Sequence, residues 1–294
     1  MQKSPSAEIL GLGYGSLAVL GFSLSLPAAR VAVVDLDPTI VGLGRSVVAA
    51  VLAVLVLIFT KQPIPPQRYW QGLLITAFGV VLGFPLLSAW AMQRLPAAYG
   101  GVVIGLIPLA TAIVATLRVR ERPSRKFWMA SLTGTGTILL FMAISGSGTL
   151  QIADLALIGA VVSAAIGYVE GAKLAAHLGS WQVICWALVI VAPITVIPVG
   201  LSILNQGLQA SPMSWGAFAY GSLVPQFLCF FAWYHGMNLG GIAKIGQLQL
   251  VQPFLTIFFS GLFLGETITP LMLVCAAIVI TCVAVSRTAQ VKRS

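Results

Sequence analysis

Three glutamines, Gln247, Gln249 and Gln252, stand with Lys244 in AKIGQLQLVQPFLTIFFSGLFLGE, a stretch from Ala243 to Glu266 apolar and long enough to cross a bilayer. An amide in hydrocarbon is costly unless it faces a protein interior or a cavity. On a helix, Lys244 and Gln247 share one stripe and Gln249 and Gln252 another. These amides either contact a substrate, donating to a carboxylate or accepting from an amine, or they bond neighbouring spans together. Arg45 lies roughly 10 Å into a second apolar span, counted at 1.5 Å per residue. It needs a partner, and Asp35, Asp37 or a carboxylate substrate could reach it; pairing with the aspartates is the preferred reading. Glu170 is the one carboxylate well inside a span. It serves proton coupling or an ammonium group, or it pairs with Lys173 one turn away. Tyr99, Trp90 and His235, with Trp233, Tyr234 and Phe230, offer aromatic surface for a flat or bulky apolar substrate. The competing reading is an interfacial belt at the headgroups. The belt is preferred for Trp233, Tyr234 and His235, and the cavity for Tyr99.

The elements that would position these residues are duplicated. AYGGVVIGLIPLATAIVATLRVRE, from Ala98 to Glu121, matches the glutamine-bearing stretch at a shift of 145 residues. Pro108 falls on Pro253, Thr111 on Thr256, Glu121 on Glu266 and Met92 on Met237, while Tyr99 falls on Lys244 and Trp90 on His235. Matching residues at fixed spacing in two apolar spans indicate an internal repeat. Ten spans are expected, at 8–30, 39–59, 69–92, 97–117, 127–145, 154–174, 180–204, 214–237, 243–264 and 270–286. They fall into two five-helix repeats, 8–145 and 153–287. Pro85, Pro108, Pro225 and Pro253 lie inside spans, where each removes a backbone donor, and are read as kinks or hinges. Spans five and ten carry little polarity beyond Ser and Thr and read as buttresses. Small residues four apart, such as Gly79 and Gly83 or Gly236 and Gly240, let helices approach closely.

With 59% hydrophobic and 8% charged residues among 294, this is an all-α integral membrane protein rather than a soluble domain. The net charge of +9 is a topology signal and does not point to nucleic acid. Twelve of the Lys and Arg residues fall in one set of loops, including Arg118, Arg122, Arg125 and Lys126, against Arg30 and Arg94 in the other. That split places both termini in the cytoplasm. An odd number of crossings per repeat then makes the two halves inverted. Inverted repeats suit alternating access, with the site near the midplane between halves. The four cysteines lie within apolar spans without CxxC or metal spacing, so no metal or cofactor is expected. The first apolar segment is too long for a signal peptide and is kept as a span. An integral membrane enzyme would need a nucleophile and base or a metal cluster, and His177 and His235 stand at separate span ends.

This pattern resembles the EamA type of the drug/metabolite transporter superfamily. The elements that carry the resemblance are Pro108 to Glu121 followed by Phe127 to Ser145, their counterparts Pro253 to Glu266 and Pro270 to Ser286, and Arg45 in GLGRSVVAAVL. It covers essentially the whole chain. Ile190 stands where Arg45 would have its twin, so the halves have diverged. The resemblance implies ten spans as two inverted five-helix repeats around a central cavity. Within the superfamily the chain is most similar to bacterial aromatic amino-acid exporters. The expected function is export of aromatic or bulky apolar amino acids across the inner membrane. The alternative is efflux of drugs or cationic amphiphiles, using Glu170. A small-molecule substrate and membrane lipid are the expected partners, with no obligate protein partner.

Overall fold

The computed structural model describes residues 5–119, 121–145, 151–287 and 291–293; some side chains within these ranges, including those of Glu121, Lys244 and Gln247, lie outside the description. Among the described residues, seven helical runs are long and apolar enough to cross a membrane: Ile9–Ala32, Ile40–Phe59, Gln67–Met92, Ala97–Arg118, Ile152–Leu178, Ser180–Gln206 and Pro212–Gly240. Shorter apolar helices cover Leu248–Leu264 and Pro270–Cys282, and another helix runs over Arg125–Ser145. Helix therefore occupies each of the ten stretches expected from the sequence.

Prolines decide where several of these runs are interrupted. The first divides at Leu24 into α1 (Pro5–Ser23) and α2 (Ser25–Ala32), with Pro27 in the new first turn. A π turn at Ile40–Gly44 leads into α3 (Arg45–Phe59). The third run is α4 (Trp70–Thr76), a π turn at Ala77–Gly83 and α5 (Phe84–Met92), with Pro85 at the restart. The fourth is α6 (Ala97–Ile104) and α7 (Ile107–Val119), with Pro108 second in α7. Then follow α8 (Arg125–Ser145), α9 (Ile152–Leu178) and α10 (Ser180–Gln206). The eighth run is α11 (Pro212–Leu223), a π turn at Val224–Leu228 containing Pro225, and α12 (Cys229–Gly240). The ninth stretch is α13 (Ile242–Gly246), a 3-10 turn at Gln247–Leu250 and α14 (Gln252–Leu264), with Pro253 second in α14. The tenth is α15 (Pro270–Arg287). A first-turn proline costs no helical bond of its own segment, but it leaves a carbonyl in the preceding one without a donor.

Those carbonyls are capped by side chains from other helices. Pro27 has no N–H for the Ser23 carbonyl, and the Thr256 hydroxyl donates to it at 2.9 Å. Pro85 likewise strands the Val81 carbonyl, which accepts from Ser46 Oγ at 2.7 Å. Gln226 donates to Val80 O at 3.4 Å, and Gln252 to Phe22 O at 3.5 Å. At a helix start, Glu266 takes the first amides of α6 in both oxygens, Ala97 N–H at 2.9 Å and Ala98 N–H at 2.7 Å.

Packing joins α1 to α12, α9 to α5, α6 to α14, α13 to α7, α3 to α10 and α8 to α15. One short antiparallel pair, β1 (Glu121–Pro123) with β2 (Val291–Arg293), departs from the all-helical expectation among the described residues. It ties the link after α7 to the segment after α15. The glycine pairs act as expected where backbones cross. A Cβ on Gly11 would stand 2.8 Å from Gly240 N and 3.0 Å from Gly236 O, whereas one on Gly13 meets nothing within 4 Å. Gly11→Ala should therefore lower stability by about 1–3 kcal/mol, the usual cost of overpacking. Gly13→Ala should be neutral or stabilising by up to about 1 kcal/mol through helix propensity. Thermal midpoints of the two variants in one detergent check this contrast.

Candidate functional site

The interruptions meet around a narrow cavity of about 20 Å³, room for roughly one water. Phe22 and Ser25 reach it from the break between α1 and α2, Arg45 from the start of α3, and Val80 and Phe84 from the third run. Tyr168 enters from the middle of α9, Pro225, Gln226 and Phe230 from the eighth run, and Gln252 from the restart of α14. The walls are aromatic. Phe22 meets the Phe230 ring edge-on with centroids 5.3 Å apart, and Tyr168 lies 5.5 Å from the Trp233 ring. Trp233 and Tyr234 are fully buried, so they belong to the packed interior and not to the headgroup belt that the sequence favoured. The Tyr234 hydroxyl donates to Gly167 O at 3.2 Å.

The polar groups of this cavity are not evenly satisfied. Arg45 is 3% exposed; its one hydrogen bond in the cavity is a long one, 3.4 Å to Ser25 Oγ, and its Nε has no partner. Gln249 is 1% exposed, and its amide faces the Tyr168 hydroxyl without reaching good hydrogen-bond geometry and without another partner. An orphaned buried amide costs about 1–3 kcal/mol, and a guanidinium at bilayer depth at least about 3 kcal/mol. Such groups call for an explanation, a ligand or an ordered water among them; Thr111, Gln182 and Trp233 each carry one further unpartnered buried atom.

The other residues singled out from sequence separate. Asp35 and Asp37 do not pair with Arg45. Asp35 accepts from the Ser211 amide and from the hydroxyls of Ser211 and Ser214 at 2.7–2.9 Å. Asp37 accepts from Ser202 at 2.8 Å and Gln206 at 3.0 Å. Tyr99 donates to Asp154 at 2.8 Å, away from the cavity, and so acts as a clamp on the start of α9. Trp90 lies under the Arg94 guanidinium, 3.9 Å from the ring centroid. His235 packs edge-on against Tyr14 at 4.7 Å. Glu170 does not line the cavity; Lys173 holds it at 3.0 Å and Arg118 approaches at 3.9 Å. Gln252 is in the cavity but spends its amide on Phe22 O. The side chains of Lys244 and Gln247 lie outside the described residues. Pro225 lines the cavity, while Pro85 and Pro253 adjoin it at the restarts of α5 and α14 and Pro108 marks the break in the fourth run. Ser25, Tyr168 and Gln226 line the cavity although the sequence does not single them out. Gln226, a mid-span amide beside a proline, carried a readable signal, whereas a lone Ser25 carried none.

A larger depression opens at the end of the bundle bearing Asp35 and Glu266, with about 1490 Å³ of space that includes open solvent. Its cations are occupied, since Arg30 donates to Met92 O at 2.6 Å and Arg94 covers Trp90. The unsatisfied chemistry lies in the smaller cavity. Residues 9–143 and 151–288 match the EamA-like transporter family. The chain belongs to that family. It is 41% identical to the uncharacterized transporter YdeK of Bacillus subtilis (strain 168), covering 93% of this chain and 95% of that one. The uncharacterized transporter sll0355 of Synechocystis sp. (strain ATCC 27184 / PCC 6803 / Kazusa) is 23% identical over 84% of this chain and 80% of its own. A crystal structure of a protein 17% identical superposes with a TM-score of 0.70, covering 97% of this chain and 99% of that one. The EamA-like chain is thus a multi-pass membrane transporter.

The larger depression of this EamA-like transporter carries a pH-sensitive contact. Hydrogen bonds from the Ser211 hydroxyl, the Ser211 amide and the Ser214 hydroxyl hold the Asp35 carboxyl below its ordinary value. A depressed carboxylate contributes stability above the unfolded value, around 4, and loses it as pH falls through the lower folded value. Hydrogen exchange at the Ser211 amide should therefore accelerate as pH drops below the carboxylate range, relative to neighbouring amides. Asp35→Asn should flatten that dependence.

Proposed function

We propose that this transporter moves small metabolites, foremost aromatic or bulky apolar amino acids, out of the bacterial cytoplasm across the inner membrane by alternating access. The observation that carries the reading is the narrow cavity walled by Phe22, Tyr168 and Phe230 where the helix interruptions converge. Rings there match a flat or branched apolar side chain; the gap between them holds about one water as it stands, so it must widen as the halves rock before it takes such a molecule.

The route across the membrane follows from duplication. Shifted by 145 residues, the α1–α12 contact becomes α9–α5 and the α6–α14 contact becomes α13–α7, while α3–α10 and α8–α15 map onto themselves. The family match likewise falls in two segments, 9–143 and 151–288. These facts support two five-helix repeats, 8–145 and 153–287, giving ten spans. The loop charges support cytoplasmic termini and hence inverted halves. The third and eighth runs carry π turns at matching places, Ala77–Gly83 and Val224–Leu228, so each half has a weak point facing the cavity. Rocking about these points exposes the cavity to one side at a time, with α8 and α15 as supports.

Efflux of cationic amphiphiles is disfavoured, because the acid it requires, Glu170, is ion-paired outside the cavity. Proteoliposomes preloaded with unlabelled phenylalanine, tryptophan or leucine should accumulate the labelled counterpart above empty vesicles. No counterflow of any of the three overturns the substrate reading. Glu170→Gln should retain most of that counterflow; its abolition would favour the cation carrier.

A further inference from the structure

We infer that the cavity holds its substrate by a carboxylate placed on Arg45, with Gln249 and Tyr168 beside it, and that it selects monocarboxylates and zwitterions against cations. The inference rests on the transport reading for the location of the site, and it narrows the chemistry admitted there.

The argument begins with what Arg45 lacks. Each of the five carboxylates whose side chains are described is engaged elsewhere. Asp35 is on Ser211 and Ser214, and Asp37 on Ser202 and Gln206. Asp154 is on Tyr99, Glu170 on Lys173, and Glu266 on the first amides of α6. None lies within 4.0 Å of Arg45, a residue 3% exposed. A buried guanidinium without a counter-charge demands an anion, and its planar fork fits a carboxylate in two parallel bonds. Here the Nε edge is unpartnered.

The second observation is independent. Gln249, 1% exposed, has no amide partner but a poorly aligned contact with the hydroxyl of Tyr168, which lines the same cavity as Arg45. Its neighbours Gln226 and Gln252 both spend their amides on backbone carbonyls. Among the described glutamines around the cavity, Gln249 is thus the one left to meet a ligand, donating through Nε2 to an anion or accepting at Oε1 from an ammonium. Arg45 is the single cation lining the cavity among the described residues. One positive charge neutralises a monoanion, and a dianion would remain uncompensated. A lipophilic cation would stand against the guanidinium in a low dielectric and be repelled.

The test uses the purified full-length protein in detergent, read by melting midpoint and tryptophan fluorescence. The probes are phenylalanine, 3-phenylpropionate and isobutyrate, set against phenylalaninamide and phenethylamine. The carboxylates should bind and raise the midpoint, and the amide and the amine should not. Arg45→Gln should weaken carboxylate binding at least about thirtyfold while raising the midpoint of the unliganded protein, since an unpaired buried charge has been removed. Gln249→Leu should weaken it about threefold to tenfold. Phenethylamine binding as tightly as 3-phenylpropionate, no carboxylate binding at all, or unchanged carboxylate affinity in Arg45→Gln would each overturn the inference. Should Arg45→Gln not fold, Arg45→Lys keeps the charge but loses the fork, and unchanged affinity in that variant overturns it equally. Isobutyrate binding lost in Arg45→Gln, without phenylalanine binding, supports the Arg45 site and defeats the aromatic substrate. Phenylalanine binding that survives Arg45→Gln does the reverse.

Discussion

A helix that breaks inside hydrocarbon exposes backbone carbonyls that no lipid can satisfy, and much of this molecule is arranged around that constraint. Pro27 and Pro85 each strand one carbonyl, and Thr256 and Ser46 supply the missing donors from helices distant in sequence. Gln226 and Gln252 do the same less tightly, at 3.4 and 3.5 Å. These caps therefore do two things. They make broken spans tolerable at membrane depth, and they stitch α14 to the α1–α2 break and α3 to the third run.

The site follows from the breaks. Where a helix is continuous, its backbone polarity is consumed and its side chains pack ridge to groove. Where the chain turns through a π or 3-10 segment, helices diverge and a gap remains. Phe22, Tyr168 and Phe230 fill the walls of that gap; Arg45 enters it with its Nε unpaired, and Gln249 stands beside Tyr168 with its amide poorly bonded. Long, exchangeable caps at the same place give the surrounding segments a means to shift without stranding a carbonyl. A carrier needs that combination, because its substrate must find unsatisfied groups and its walls must move.

The sequence disclosed the architecture more readily than the site. Periodic apolar runs, the shift relating Pro108 to Pro253, and the loop charges are all local or one-dimensional signals, and helix lies where they place it. Side-chain partners are not one-dimensional. Tyr99 aligned with Lys244 and was read into the cavity, but Asp154 at the start of α9 takes its hydroxyl. Trp233 and Tyr234 near a span end looked like headgroup anchors, yet α12 is turned so that both are buried against α9 and α1. The three glutamines of the ninth stretch looked alike, and a neighbouring broken helix decided that Gln252 is a cap and Gln249 is not. The reach of Asp35 to Arg45 was plausible by spacing alone. The serines at the start of α11 claimed it instead.

The account depends on two halves lying upside down to one another, so that their broken spans meet at one depth. Single cysteines at Ser124 and Thr267, placed after α7 and α14, test this in cells once the four native cysteines are replaced. A membrane-impermeant maleimide added outside should label position 267 in intact cells and position 124 only after the membrane is opened. Labelling of both positions from the same side would contradict the inverted arrangement and the shared cavity with it.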